Sequence, residues 1–288
     1  MFQQLLYNGI IAGSIYALIA LGFGVIYRTV RFFHFAHGVV YAAGAYLAYS
    51  FFIQLGMLPI VSCLLSIVSA AILGILIDRF IYLPLRRRNA PNLIFLLASF
   101  GIFIFLQNFI QLLYGAQILT LNTGPVKEGH EFLGAVITDT QILIIGVCFS
   151  LFAAVWLFTK ATKLGKAMRA VANNPVLANI SGINSERIIL YSFAIGSGLA
   201  GLAGILISLE TNIEPTMGMN AMLKGLTAAI IGGMGSIPGA LLGGLLLGFA
   251  ENFGIWYIQA GWKDAIAFGM LIIFLLFRPQ GILGKRKD

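Results

Sequence analysis

The sequence predicts an all-α, polytopic transmembrane bundle of about eight spans with one broken half-helix. Three observations carry that expectation. Hydrophobic residues make up 59% of the 288-residue chain and charged residues only 10%, with a mean hydropathy of +0.95. Several apolar runs reach about 20 residues, enough at about 1.5 Å each to cross a hydrocarbon core of roughly 30 Å. A soluble domain could not hide so many. No stretch keeps the strict period of two that a membrane barrel requires.

The apolar runs fall at 5–27, 35–55, 58–82, 93–114, 140–159, 188–209, 237–257 and 264–278, with a shorter piece at 222–233. The first begins "MFQQLLYNGII". It lacks a basic leader, so it is expected to be a retained span rather than a cleaved signal. Lys and Arg orient the rest. With the N-terminus outside, Arg28, Arg31, Arg79, Arg86 to Arg88, Lys160 to Arg169, Arg187, Arg278 and Lys285 to Lys287 fall inside. These are fifteen of the eighteen basic residues; only Lys127, Lys224 and Lys263 fall outside or near the outer face. That bias is the one cytoplasmic loops carry. It accounts for the net charge of +8 without a nucleic-acid partner. Tyr114, Trp256, Tyr257 and Trp262 then mark the outer interface, and the C-terminus is expected inside.

Parity demands one irregularity. After the 188–209 run the chain is outside, and two further full spans would leave it there. The piece at 222–235 is therefore expected to be a half-helix, broken by "GGMGSIPG" in the membrane or near the inner face. Broken helices at that depth need protein or an aqueous cavity around them. Gly232, Gly233, Gly235, Pro238 and Gly239 thus become candidates for the translocation path or its gate.

Small residues recur every four positions around the break. Gly235, Gly239 and Gly243 form one ladder and Ala240, Gly244 and Gly248 another. Gly196, Ala200 and Gly204 form a third, beside Ser197 and Gly201. Such ladders let helix backbones approach closely, either as static seams or as sliding surfaces. Polar groups within spans are few. Gln107, Asn108 and Gln111 on the fourth run either bond between helices or line a polar passage. Glu251 is either a functional group or a structural partner. His34 and His37 lie one turn apart, but nothing near them in sequence completes a metal site. Cys63 and Cys148 sit inside apolar runs and read as packing residues. Phosphate-loop, zinc-protease and nucleophile-turn motifs are missing. No catalytic, cofactor or metal residue is expected.

One polar stretch stands apart: "KLGKAMRAVANNPVLANISGIN", Lys163–Asn184. Leu164, Ala167, Met168, Val171 and Ala172 make a single apolar stripe, with Lys163, Lys166 and Arg169 on the other side. Asn174 and Pro175 suit the start of a second short helix over 175–181, which Gly182 should stop. Ser185 can cap the next span. The insert is read as a folded cytoplasmic hairpin, lying on lipid headgroups or docking a cytoplasmic protein. The tight second turn favours docking, because a surface-lying helix has no use for it.

At this insert, "GKAMRAVANNPVLANISGINSERI" resembles the coupling loop of permeases in ABC importers of the branched-chain (hydrophobic) amino acid family. "NGIIAGSIYALIALGFGVIY", "FAHG", "FLQN", "KGLTAAIIGGMGSIPGALLGGLLLGFAE" and "FRPQGILG" follow the family order along the whole chain. The match is closer to the LivH-type subunit than to its LivM-type partner, which usually carries extra N-terminal sequence. The resemblance implies a type II-like permease over 1–288, with 160–186 as the coupling-helix loop and no ATPase of its own. It implies a bacterial inner membrane, a second permease subunit, identical or different, two cytoplasmic ATP-binding subunits and an extracytoplasmic solute-binding protein. Gly165, Arg169 and Gly182 match the loop pattern and inherit the coupling role, and Pro175 at the central turn is grouped with them. His34 replaces the usual Asn before "FAHG", and Asn173–Asn174 replace a commonly acidic pair. Branched-chain or related amino acids are the implied cargo; urea, short amides or polar amino acids are the alternative within the family. A secondary transporter or channel is the alternative outside it, against which stands the scarcity of titratable groups in mid-span.

Overall fold

The computed structural model describes residues 2–121, 129–132 and 134–284. Lys127 and Lys285 to Lys287, which entered the orientation argument, lie outside the described residues. Among the described residues the regular elements are helices, apart from one short hairpin and an isolated bridge between Leu119 and Ile213. The long helices are α1 (Phe2–Val30), α2 (Ala36–Tyr49), α3 (Pro59–Ile77), α5 (Asn92–Tyr114), α6 (Asp139–Ala161), α9 (Ser185–Glu210) and α11 (Ile237–Tyr257). α2 and α3 each run on through a π-helical turn, Ser50–Gln54 and Asp78–Tyr82, and α4 (Leu83–Arg87) follows the second. Among the described residues, seven helices are long and apolar enough to cross a membrane. The eighth apolar run forms α12 (Lys263–Phe277), with 15 residues. The expected half-helix is α10 (Met217–Gly232), with 16 residues. It starts five residues before the expected 222, because Gly218 and Asn220 interrupt the apolar pattern without interrupting the helix. Strands β1 (His130–Phe132) and β2 (Ala135–Ile137) pair antiparallel between α5 and α6.

The residues group into two compact units: 1–24, 122–153 and 223–288 in the first, 25–121 and 154–222 in the second. In the first, the two ladders of α11 serve two different partners. A methyl added at Gly244 would overlap Ala17 of α1, and one at Gly248 would overlap the backbone of Gly13 and Gly9. The other ladder faces α10: Gly239 meets Gly232, and Gly243 meets the Ala228 carbonyl. Backbones this close exchange dispersion contacts that larger side chains would prevent. The hairpin is tied to the start of α1 by Gln4, whose amide accepts from Val136 N at 2.9 Å and donates to Val136 O at 3.1 Å.

In the second unit, α2 is buried on nearly every side, as a helix apolar all round should be. α9 closes on it where Gly44 meets Gly201 and Gly204 meets the Tyr41 carbonyl. α9 also meets α3, with Gly74 against Ser197 and Gly201 against Ala70. α3, the π turn after it and α5 hold Ile60, Leu64, Phe80, Leu97, Phe105 and Leu112 exposed. With water on that face such a surface would be costly; facing lipid tails it is not. The chain is a multi-pass membrane protein.

Candidate functional site

The insert folds as two short helices. α7 (Lys163–Asn173) is capped at its start by Thr162, whose hydroxyl accepts from Gly165 N at 3.0 Å. Met168 and Val171 of the apolar stripe are buried within their own unit. Gly165 is there for close approach: a methyl would strike the Phe158 and Thr159 carbonyls at the end of α6. Arg169 donates to the Thr159 carbonyl, so it fastens α7 to α6 in its own chain.

α8 (Pro175–Ile180) follows at once. Asn174 caps it, its side-chain oxygen accepting from Val176 N at 3.0 Å and Leu177 N at 3.1 Å, with Pro175 as the first helical residue. Gly182 ends it with φ +82°. Gly182 N bonds to Asn179 O at 3.0 Å and Ile183 N to Ala178 O at 2.9 Å. This is the double closure that a left-handed glycine permits. The next span is capped by Asn184 rather than by Ser185: Asn184 accepts from Arg187 N at 3.1 Å. Ser185 instead straps the two helices together, donating its hydroxyl to Pro175 O at 2.9 Å. The first turn of α9 is held in turn by Arg86, which bonds Glu186 at 2.8 Å. Every turn of the insert is therefore fastened. Yet Val176, Leu177 and Ile180 of α8 stand 65%, 59% and 77% exposed. Three large apolar side chains on one six-residue helix form an exposed apolar face.

The break after α10 is also a built structure. Gly233 and Gly235 adopt φ +103° and +80°, which side-chain-bearing residues avoid. Ser236 then caps α11, accepting from Gly239 N at 3.2 Å, with Pro238 in the first turn. Gly232, Gly233 and Gly239 are buried; Gly235 is half-buried and Pro238 exposed. The last carbonyls of α10 are satisfied from far along the chain. Ile282 N donates to Ile231 O at 2.8 Å and Leu283 N to Gly232 O at 3.0 Å. "GGMGSIPG" and "GILG" thus form one structure, with Gly281 packed on Gly233.

Polar groups within the spans sort as follows. Glu251 is fully buried and paired with Lys224 at 3.1 Å, and Tyr16 donates its hydroxyl to it at 2.7 Å. Lys224 also reaches Asp264 at 3.3 Å. The cluster ties α1, α10, α11 and α12 together within the first unit, so Glu251 has a structural partner. Gln107 is half-buried and its Oε1 has no hydrogen-bond partner among the described residues. Asn108 is exposed and bonds Ile104 O of its own helix at 2.8 Å. Both belong to the second unit, whereas the α10 break belongs to the first. His34 is hydrogen-bonded through Nδ1 to the Tyr82 hydroxyl at 2.9 Å and packs edge-on against Phe193. Burial first, and His37 second, hold His34 well below the usual histidine range. The sequence does not foretell the Lys224 pairing, the closure of the break by the tail, or the reach of Arg31 to the end of α7. None has a local signal, because each joins residues distant in sequence.

Comparison with known proteins decides the family. Residues 5–275 match the family described as branched-chain amino acid transport system / permease component. The chain belongs to that family. The permease is 42% identical, over 99% of its length and 96% of the relative's, to the high-affinity branched-chain amino acid transport system permease protein BraD of Pseudomonas aeruginosa. It is 38% identical, with the same coverage, to the corresponding permease protein LivH of Escherichia coli K12. Among solved structures it is similar to PsaBC from Streptococcus pneumoniae in complex with Fab, with TM-score 0.53 and 14% identity over 96% of this chain and 92% of that one. At that identity the likeness speaks for the fold alone.

Proposed function

We propose that the permease is the membrane-spanning subunit of an ATP-driven importer that moves branched-chain or related amino acids. The observation that carries this is identity of 38–42% over nearly the full length of permeases named for high-affinity branched-chain amino acid transport. The likeness runs nearly the full length of the chain, which supports a shared mode of transport. The whole of 1–288 is read as one permease domain, in the bacterial inner membrane, with the N-terminus outside and the C-terminus inside. A second permease subunit, two cytoplasmic ATP-binding subunits and an extracytoplasmic solute-binding protein complete the machine. Hydrolysis belongs to the ATP-binding subunits.

In this reading 160–186 is the contact through which ATP-driven motion enters. Support comes from the exposed Val176, Leu177 and Ile180 on an otherwise fastened loop. Gly165 and Arg169 hold the loop to α6, and Pro175 and Gly182 shape α8. Gly232, Gly233, Gly235, Pro238 and Gly239 border the path at the α10 break, and Gln107 and Asn108 supply polar groups on α5. The test is co-expression with candidate ATP-binding subunits, reconstitution with a binding protein, and uptake of labelled leucine beside ATP hydrolysis. Uptake that needs both ATP and the binding protein is the expected result; ATP-independent uptake would discard the reading. Orientation is checked by membrane-impermeant labelling of Glu131→Cys, expected from outside, and Ser181→Cys, expected from inside only.

A further inference from the structure

Arg31 stands one residue past α1, with φ +56°. Left-handed backbone is unfavourable for an L-residue, because Cβ crowds the following carbonyl oxygen. Outliers of this kind persist where the surroundings over-determine them. The backbone reason is visible: Arg31 N closes α1 on Tyr27 O at 2.8 Å, a task glycine would perform without strain. The side chain supplies the reason for arginine. Its guanidinium donates to Ala172 O and to Asn173 O, the latter at 3.3 Å. These belong to the last two residues of α7, where unpaired carbonyls and the negative end of the helix dipole meet. Both bonds leave Nη2, one prong of the planar fork, whose two hydrogens the guanidinium holds at fixed angles; an ammonium turns freely on a flexible stem.

The residues that follow are fastened to the body of the same unit. Phe32 stacks on Phe95 and meets Tyr82 edge-on, both at 4.9 Å. His34 bonds Tyr82. Phe35 N donates to the Ser99 hydroxyl at 2.7 Å, and that hydroxyl donates to Phe33 O at 3.3 Å. The link 31–35 is thus pinned to α5 and to the π turn after α3, and it runs directly into α2. A link held at so many points has no slack with which to absorb movement at Arg31.

We propose that Arg31 is a positioning residue for coupling: it ties the end of α7 to the head of α2, so that displacement of the loop is delivered to α2, α3 and α5. The proposal rests on the reading of 160–186 as the contact with the ATP-binding subunits. It adds a route besides the covalent one through α6 and α9. The test uses the complete complex in proteoliposomes, with hydrolysis and uptake measured together. In Arg31→Gln, uptake per ATP hydrolysed falls at least about five-fold, the low end for a coupling contact, while the ATP-binding subunits still co-purify and turn over. Arg31→Lys restores part of the ratio. Arg31→Gly, which relieves the backbone and removes the fork, keeps or raises the thermal unfolding midpoint yet lowers the ratio as Gln does. A wild-type ratio in Arg31→Gln or Arg31→Gly overturns the proposal. So does a parallel fall in hydrolysis, uptake and assembled complex in which Lys is no better than Gln, since that is the mark of a merely structural contact. Should the wild-type complex show no ATP-dependent uptake, the functional reading falls first and this inference with it.

Discussion

Arg86 reaches back eight residues to grip Asp78 with both prongs, at 2.7 Å and 3.2 Å, while its remaining donors hold Glu186 at the start of α9. Asp78 is 1% exposed. Without Arg86 its carboxylate would be buried and unpaired. Arg86→Ala is therefore expected to cost about 3–5 kcal/mol, read as a lowered unfolding midpoint in detergent. Adding Asp78→Asn should recover part of the loss. A double variant no more stable than the single one would show that the pairing matters little.

The glycines of α11 predict a contrast with those elsewhere. A methyl at Gly248 meets the backbone of Gly9 and Gly13, which cannot rotate aside. Gly248→Ala should destabilise by about 1–3 kcal/mol through overpacking. Gly146 of α6 has nothing within 4 Å of an added methyl. Gly146→Ala should be neutral or stabilising by up to about 1 kcal/mol, since it removes only backbone freedom. Thermal unfolding of the two variants side by side checks the ordering.

At the α10 break, Gly235→Leu forces a branched side chain into left-handed backbone, at about 1–2 kcal/mol. Gly232→Leu drives a side chain into the Gly239 carbonyl, at about 1–3 kcal/mol. Both should abolish uptake while the complex still assembles on a sizing column. Normal uptake by both would reduce the break to a connecting loop.

The two faces of the insert should fail differently. Val176→Asp with Ile180→Asp puts charge on the exposed apolar face of α8, where interface anchors often carry about 2 kcal/mol or more. Co-purification of the ATP-binding subunits should be lost. Arg169→Glu removes the fastening to Thr159 but leaves that face intact. The subunits should then stay bound while substrate-stimulated hydrolysis no longer drives uptake. If the α8 variant retains its subunits, the docking face lies elsewhere.

What could be read from the sequence was whatever lies within one helix or one turn. The stripe of Met168 and Val171, the cap at Asn174, the stop at Gly182 and the four-residue ladders of α11 are local patterns with local causes, and the structure has them. The ladders announced close packing but not against what. Only the fold assigns Gly244 and Gly248 to α1, and Gly239 and Gly243 to α10. Lys224 was legible as a basic residue near a boundary, whereas its pairing with Glu251 depends on how α10 and α11 pack. Charge puts Arg169 on the side of α7 opposite the stripe, and only the fold names its partner, the Thr159 carbonyl. α10 begins early because Gly218, a break signal in sequence, is a contact residue: it meets Gly38 backbone to backbone.

The pairing of Ile282 and Leu283 with the last carbonyls of α10 also bears on how the chain is made. α10 leaves the ribosome well before the segment that finishes it, with α11 and α12 still to be synthesised in between. During that interval the Ile231 and Gly232 carbonyls must find lipid headgroups, water or the insertion machinery as provisional partners. The first unit therefore matures late, after its helices are already in the bilayer. A fusion placed immediately after Gly284 would compete with that last step of assembly, whereas the same fusion on a long, flexible spacer would not.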